Sequence, residues 1–311
     1  MNLMKRFIFL VPMILMSLNS TAGAVVLDDS IPPGNNFDKA AFRLWYPDDY
    51  KTISGIIVLM PGSNEEGRDL VYDESWQELA QKHGFALLGC YFTDPMHEDM
   101  AVEFYANAKE GSGQALLTAL SHFAEKSGFP GVADAPLVLW GHSAGGQFNY
   151  EFACWKPERV IAFVVNKGGI YFTALAPKPA RNVPGLIFTG ENDYQPRKDI
   201  LKGIYSLNRR IGALWALAEE PKAGHEIGQT QKLAGIFFDE IIPLRLHKKT
   251  SGSDTSSSLQ DLSIGQGYAG DLKTRKFTAM NDELGNYYAV SWLPTLKFAE
   301  AWLEFIKNKP F

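Results

Sequence analysis

The run Ser54-Gly55-Ile56-Ile57-Val58-Leu59-Met60 constrains this chain more than any other feature. It is almost continuously apolar and closes at Pro61-Gly62, so it reads as a central strand buried on both faces. Similar short runs recur at Ala41–Tyr46, Phe85–Tyr91, Pro136–Trp140, Val160–Val165, Gly185–Thr189 and Leu214–Glu219. Helix-length stretches separate most of them: Leu70–His83 (stopped by Gly84), Gln114–Lys126, Gln147–Trp155, Asp199–Ile211 and Gln229–Ile242. Strands alternating with helices predict the α/β class, a mainly parallel central sheet flanked by helices on both faces.

The ends of the chain read differently. Lys5 and Arg6 precede an apolar run, Phe7–Leu18, and Ala22-Gly23-Ala24 supplies the small residues of a cleavage site. This is the layout of a signal peptide over residues 1–24, too short to span ~30 Å of hydrocarbon comfortably. It predicts export to the periplasm or the outside, and no membrane association after cleavage. The mature segment, 25–311, is long enough for a single α/β domain. It would carry a polar, flexible insert near 248–258 (KKTSGSDTSSS) and a C-terminal tail with one helix, Thr295–Ile306.

The formal charge of −5 becomes −7 once Lys5 and Arg6 leave. With no basic cluster, nucleic acid is not an expected partner. Cys90 and Cys154 could pair in an oxidising compartment. Their places, at a strand end and well down a helix, predict buried free thiols instead. Two cysteines cannot build a structural zinc site, and His-Glu-x-x-His is absent, so neither a metal nor another cofactor is expected.

Chemistry is concentrated at Gly141-His142-Ser143-Ala144-Gly145. A Gly-x-Ser-x-Gly between a strand and a helix forms a strained turn that lifts the serine hydroxyl clear of the sheet, above a helix N-terminus whose positive potential favours an oxyanion. A serine hydroxyl needs a base, and the base needs an orienting acid, in the chain order Ser, acid, His. Only His225 and His247 follow Ser143. His225 lies after a strand and before a helix, where a catalytic histidine belongs; His247 sits among basic residues and reads as solvated. His142, inside the turn, reads as a support for it. The acid should follow Gly185–Thr189, where either Glu191 or Asp193 could act. The oxyanion needs two backbone N–H donors. Ala144 supplies one, and Ser63, in the loop Met60–Asn64 after the buried strand, supplies the other.

Ser143, Asp193 and His225, in that order and at strand ends, resemble the α/β-hydrolase superfamily of serine esterases over Ala41–Ile242. The resemblance implies the α/β-hydrolase fold, and its usual Gly-x-x-Asp arrangement selects Asp193 over Glu191. Within the superfamily, Pro61-Gly62-Ser63 and the exported setting resemble the polyhydroxybutyrate depolymerase and feruloyl esterase group, although Pro61-Gly62 stands where a His-Gly is usual. The implied activity is hydrolysis of a carboxylic ester, of acetyl, feruloyl or polyester type, through an acyl-Ser143 intermediate. Its substrate would be a small-molecule or polymer-linked ester. The alternatives are a peptidase of the prolyl-oligopeptidase type, whose accessory domain is missing, and a binding protein on a non-catalytic hydrolase fold, which usually loses a triad member. Tyr91, Phe92, Tyr171, Phe172, Tyr194 and Trp292 are candidates to line the cleft, and Lys167-Gly168-Gly169 to form its wall.

Overall fold

The computed structural model describes residues 23–99, 102–248, 257–280 and 289–307. Eight strands form the main sheet: β1 (Ala24–Ile31), β2 (Lys39–Pro47), β3 (Ile56–Met60), β4 (Ala86–Thr93), β5 (Leu137–Gly141), β6 (Val160–Asn166), β7 (Gly185–Gly190) and β8 (Trp215–Glu220). Their spatial order is β1-β2-β4-β3-β5-β6-β7-β8. β2 is antiparallel to both neighbours and every other pair is parallel. The helices are α1 (Glu74–His83), α2 (Ser112–Ser127), α3 (Ala144–Trp155), α4 (Lys178–Arg181), α5 (Gln195–Arg209), α6 (Thr230–Arg245) and α7 (Leu296–Ile306).

Period-two alternation in the strands divides the core between the two faces. Ile56, Val58, Leu137 and Leu139 pack with Leu116, Phe123, Phe148 and Leu201 from α2, α3 and α5. Ile57, Leu59, Val138 and Trp140 pack with Trp76, Phe237 and Trp302 from α1, α6 and α7. The mainly parallel sheet with helices on both faces is thus present as the residue pattern predicted.

One expected helix is divided. Leu70–His83 is a 3-10 turn, Arg68–Tyr72, followed by α1. The break falls at Asp73, whose extended backbone and carboxylate cap the N–H groups of Ser75 and Trp76. A capping aspartate must stand outside the helix that it caps, so periodicity alone ran two elements together.

Of the expected leader, residues 1–22 lie outside the described residues. Ala24 opens β1 opposite Pro47, and the Gly23 carbonyl accepts from Asp48 N–H. The polar stretch near 248–258 lies outside them over 249–256, and its ends, β9 (Leu246–Lys248) and β10 (Ser257–Leu259), pair antiparallel. The C-terminal segment holds more than the expected helix. β11 (Tyr268–Asp271), β12 (Lys276–Ala279) and β13 (Ser291–Leu293) form a small antiparallel sheet in the order β12-β11-β13. Ser291 Oγ accepts from Leu217 N–H at 2.9 Å and donates to the Leu217 carbonyl, which also accepts from Trp302 Nε1 at 2.9 Å. Side chains of this segment therefore occupy backbone groups that edge strand β8 would otherwise leave unpaired. No helix among the described residues is long and apolar enough to cross a membrane.

Candidate active site

The order of the strands places the site. The chain runs from β3 outward to β4, then crosses back to β5 on the other side of β3. Open α/β sheets bind ligands at the carboxyl ends of strands where the winding reverses in this way. The loop after β3 and the turn after β5 both lie there.

Ser143 sits between β5 and α3 with φ 52° and ψ −120°, a conformation that costs a non-glycine residue about 1–3 kcal/mol. Four backbone hydrogen bonds hold it. Ser143 N–H donates to Asn166 at 2.8 Å, His142 N–H to Met60 at 3.1 Å, Gly145 N–H to His142 at 2.8 Å, and Gln147 N–H to Ser143 itself at 3.1 Å. Both flanking glycines are demanded by contact. A Cβ on Gly141 would lie 2.4 Å from the Gly145 carbonyl, and one on Gly145 would lie 2.4 Å from the carbonyl oxygens of Met60 and Pro61.

His225 Nε2 lies 2.9 Å from Ser143 Oγ, and His225 Nδ1 lies 3.3 Å from Asp193 Oδ2. Ser143, Asp193 and His225 are therefore brought into one relay. The Asp193 side chain is almost fully buried, and its other oxygen accepts from Tyr194 N–H at 2.7 Å and Arg197 Nη1 at 2.5 Å. Burial resists its ionisation. The N–H of Tyr194, His225 and the Arg197 guanidinium outweigh it and hold the carboxyl below the usual range. Glu191 is not brought to His225. It is exposed, its carboxylate accepts from Lys222 N–H at 2.6 Å, and it braces the loop from outside.

His142 is buried beside His225, with ring centroids 5.0 Å apart. Burial, with the nearby charges of His225 and Lys167, pushes its pKa down to about 4, so it stays a neutral support of the turn at ordinary pH. His247 lies apart from the site, exposed, in contact with Gln260.

In the loop after β3, Gly62 N–H donates to Glu65 Oε2 at 3.1 Å and Asn64 N–H to the Tyr105 hydroxyl at 3.4 Å. Between them, Ser63 N–H has no acceptor among the described residues, and nor does Ala144 N–H at the start of α3. These are the two donors expected to receive the oxyanion. Asn64 holds the loop through its left-handed backbone (φ 55°) and a side-chain oxygen that accepts from Asp94 N–H at 2.9 Å.

Lys167 was expected in a pocket wall, and here the structure corrects the sequence reading. Its side chain is fully buried, and Nζ donates to Glu220 Oε2 at 2.6 Å and to the Glu226 carbonyl at 2.5 Å. A charge at the end of a wholly buried strand must be paired, and the partner stands at the end of β8. Gly168 remains beside Ser143, and Gly169 faces Gln147 and Arg197. A Cβ on Gly168 would approach the Ser143 carbonyl oxygen to 3.3 Å, and Gln147, with its amide oxygen turned to the loop, accepts from the N–H of Gly169 and Ile170.

Two of the six candidate aromatics do not line a cleft. Phe92 and Trp292 are core residues, the first stacked with Tyr105 and the second donating to the Gln266 carbonyl. Tyr171 tucks its hydroxyl beneath Gly168 and packs edge-on against Tyr150, while Tyr91 is half-buried under Lys39. Phe172 and Tyr194 are exposed, at 42% and 68%. Arg197 and Glu220 had no place in the sequence reading, and Asn64 entered it only as the end of the loop Met60–Asn64. The usable signal was a charged residue directly after an apolar strand, at both Lys167 and Glu220. Cys90 and Cys154 are free thiols, and burial pushes Cys154 up to about 12. No three metal-ligating side chains converge among the described residues.

No family model matches the chain, and no curated protein matches it. Solved structures do. The chain is similar to a ferulic acid esterase with 11% identity over 72% of this chain and 98% of that one, at a TM-score of 0.51. It is also similar to a poly(3-hydroxybutyrate) depolymerase from Bordetella parapertussis, with 18% identity over 70% and 88% at a TM-score of 0.49. An S-formylglutathione hydrolase from Staphylococcus aureus is 12% identical over 69% and 95%, at a TM-score of 0.48. At such identities the likeness is one of fold, and the fold is that of the α/β-hydrolases.

Proposed function

We propose that this chain is an exported serine esterase that hydrolyses carboxylic esters through an acyl-Ser143 intermediate. The observation that carries the reading is the continuous relay from Ser143 Oγ through His225 to a buried, ionised Asp193.

In the proposed reaction, Ser143 Oγ attacks the ester carbonyl carbon as His225 Nε2 takes the hydroxyl proton. The carbonyl π-electrons move to oxygen, and the N–H groups of Ser63 and Ala144 receive the oxyanion. Asp193 stabilises the imidazolium without taking its proton. Collapse breaks the bond to the alkoxy oxygen, which leaves as the alcohol with the proton from His225. Water then attacks the acyl-serine with His225 again as base, releasing the acid and restoring Ser143.

Phe172 and Tyr194 favour an ester with an apolar or aromatic part, free or polymer-linked. Export rests on the basic, apolar and small-residue layout of residues 1–24. N-terminal sequencing of protein recovered from periplasm and medium tests it, and a chain that stays cytoplasmic with Met1 attached would reject it.

The enzymatic test uses purified protein with p-nitrophenyl acetate, a feruloyl ester, a polyester and a dipeptide amide. At least one ester should be hydrolysed. Ser143→Ala and His225→Ala should each lose at least ~10⁴-fold in kcat while remaining folded. Full activity in either variant, or cleavage of the amide alone, would reject the reading.

A further inference from the structure

Resting on the esterase reading, we propose that the buried Lys167–Glu220 ion pair is the positioning unit of the general base, holding the loop that carries His225 in register with Ser143. That loop, residues 221–229, has little apolar anchorage of its own. Ala223 is its one buried residue, while Lys222, Glu226, Gly228 and Gln229 are exposed. The start of the loop is held by Asn192, which donates from its N–H to the Ala223 carbonyl and from its side chain to the Lys222 carbonyl, and by Glu191 on Lys222 N–H. The stretch past His225 hangs from two charged side chains. Lys167 Nζ donates to the Glu226 carbonyl at 2.5 Å, one residue past His225. Glu220 Oε2 accepts from Lys167 Nζ at 2.6 Å, and Glu220 Oε1 accepts from Gln229 N–H, also at 2.6 Å.

The backbone is shaped around this grip. Gly228 has φ 61°, and a Cβ there would lie 2.3 Å from Glu220 Oε1. Lys167 itself is held at φ 56°, which aims the end of β6 across β7 at the end of β8. A buried ion pair contributes little net stability compared with apolar groups of the same size. What this one supplies is location, by fixing the segment on either side of Ile227 and, through it, the imidazole.

The pair also sets two opposite charges close to the base. The other charged or titratable groups around His225 are Asp193 at Nδ1, the His142 ring, the Glu226 carboxylate bonded to Gly224 N–H, and Arg197 on the far oxygen of Asp193. Removing Lys167 alone leaves an uncompensated anion, which favours the imidazolium and moves the acid limb of the pH–rate profile upward. Removing Glu220 alone leaves a cation and moves that limb downward. A role confined to packing would move neither in a charge-dependent direction.

The experiment compares wild type, Lys167→Met, Glu220→Gln and the double variant, with circular dichroism and thermal melts as the check on folding. Two rates are read: phosphonylation of Ser143 by a fluorophosphonate reagent, and kcat and KM for p-nitrophenyl acetate across pH. Each single variant should lose on the order of 30-fold in phosphonylation rate and in kcat, with KM within about threefold, because binding does not pass through the base. The two acid limbs should move in opposite directions. The double variant should return the limb to the wild-type position with the rate still depressed. A folded variant that keeps its phosphonylation rate within about twofold, or limbs that move together, would overturn the proposal. Should a single variant not fold, the double variant, which leaves no unpaired charge, decides on rate alone. Wild-type protein that resists phosphonylation would reject the esterase reading itself, whereas labelled wild type with unchanged variants rejects only the positioning role.

Discussion

The two loops that meet at Ser143 Oγ are held in different ways. The turn carrying Ser143 is fixed by its own backbone: glycines packed against carbonyl oxygens, four main-chain hydrogen bonds and a helix that begins at once. The loop carrying His225 is fixed from outside itself: by Lys167 from β6, Glu220 from β8, the carboxylate of Asp193, and Glu191 and Asn192 after β7, which bond Lys222 and Ala223. A backbone-fixed element tolerates almost no added atom but asks little of remote side chains. A side-chain-fixed element tolerates local change and fails when a distant partner is removed. The nucleophile has to sit in a strained conformation, which only a tight backbone frame sustains. The base has to keep its imidazole in the right tautomer and orientation, which charged partners do well.

The largest effect should come from the partner that the base depends on most. Asp193→Asn keeps the volume but replaces an ionised acceptor with a neutral amide, so His225 loses both its preferred tautomer and the stabilisation of its cation. A fall of roughly 10⁴-fold in kcat is expected, with a lower melting temperature because the ionised carboxylate paired with Arg197 is lost. Glu191→Gln, in the outer brace, should change kcat by less than about threefold. If Glu191→Gln were the more damaging of the two, the relay would run through the other carboxylate, and Asp193 would not be part of the frame that holds His225.

Next in size is an added methyl group in the backbone-fixed turn. In Gly145→Ala the new Cβ would lie 2.4 Å from the Met60 and Pro61 oxygens, main-chain atoms that cannot swing away. The loop after β3 must be displaced, and with it the Ser63 N–H offered to the oxyanion. We expect a loss of about 100-fold in kcat and about 3 kcal/mol in stability, read by ester hydrolysis and chemical denaturation. Wild-type kinetics in this variant would show that the turn is less rigidly framed than the contacts imply.

How much of the site was legible in the sequence follows the same division. The turn was readable because its requirements are local: two glycines, a serine, an apolar strand before and a helix after. His225 was readable because a strand and a helix bracket it. The grip on its loop was not, since Lys167 and Glu220 are 53 positions apart and meet only once β6, β7 and β8 stand side by side. The same limit explains the short strands β11–β13, whose fit depends on an edge strand far earlier in the chain, whereas Arg197, only four positions from Asp193, was within reach of a local reading. It also explains Trp292 and Phe92. Whether an aromatic faces a cleft or the core is a property of packing, and their local sequence looked like that of Phe172 and Tyr194, which are exposed.

The smallest effect should come from the counterpart substitution in the histidine loop. Gly224 immediately precedes His225, as close to the base as any residue can be, and proximity alone would predict severe damage. Yet a Cβ on Gly224 would meet only Glu226 Oε2, at 3.0 Å. That atom is the far end of an exposed side chain whose bond to Gly224 N–H can be remade in water. Because the loop is positioned through the Glu226 carbonyl and Gln229 N–H, the added methyl leaves the grip of Lys167 and Glu220 in place. Gly224→Ala should therefore lower kcat by no more than about threefold and change stability by less than about 1 kcal/mol. The measurement is the same pair of assays applied to Gly145→Ala. A loss as large as that of Gly145→Ala would mean that the backbone of this loop, and not the buried ion pair, sets the position of the base.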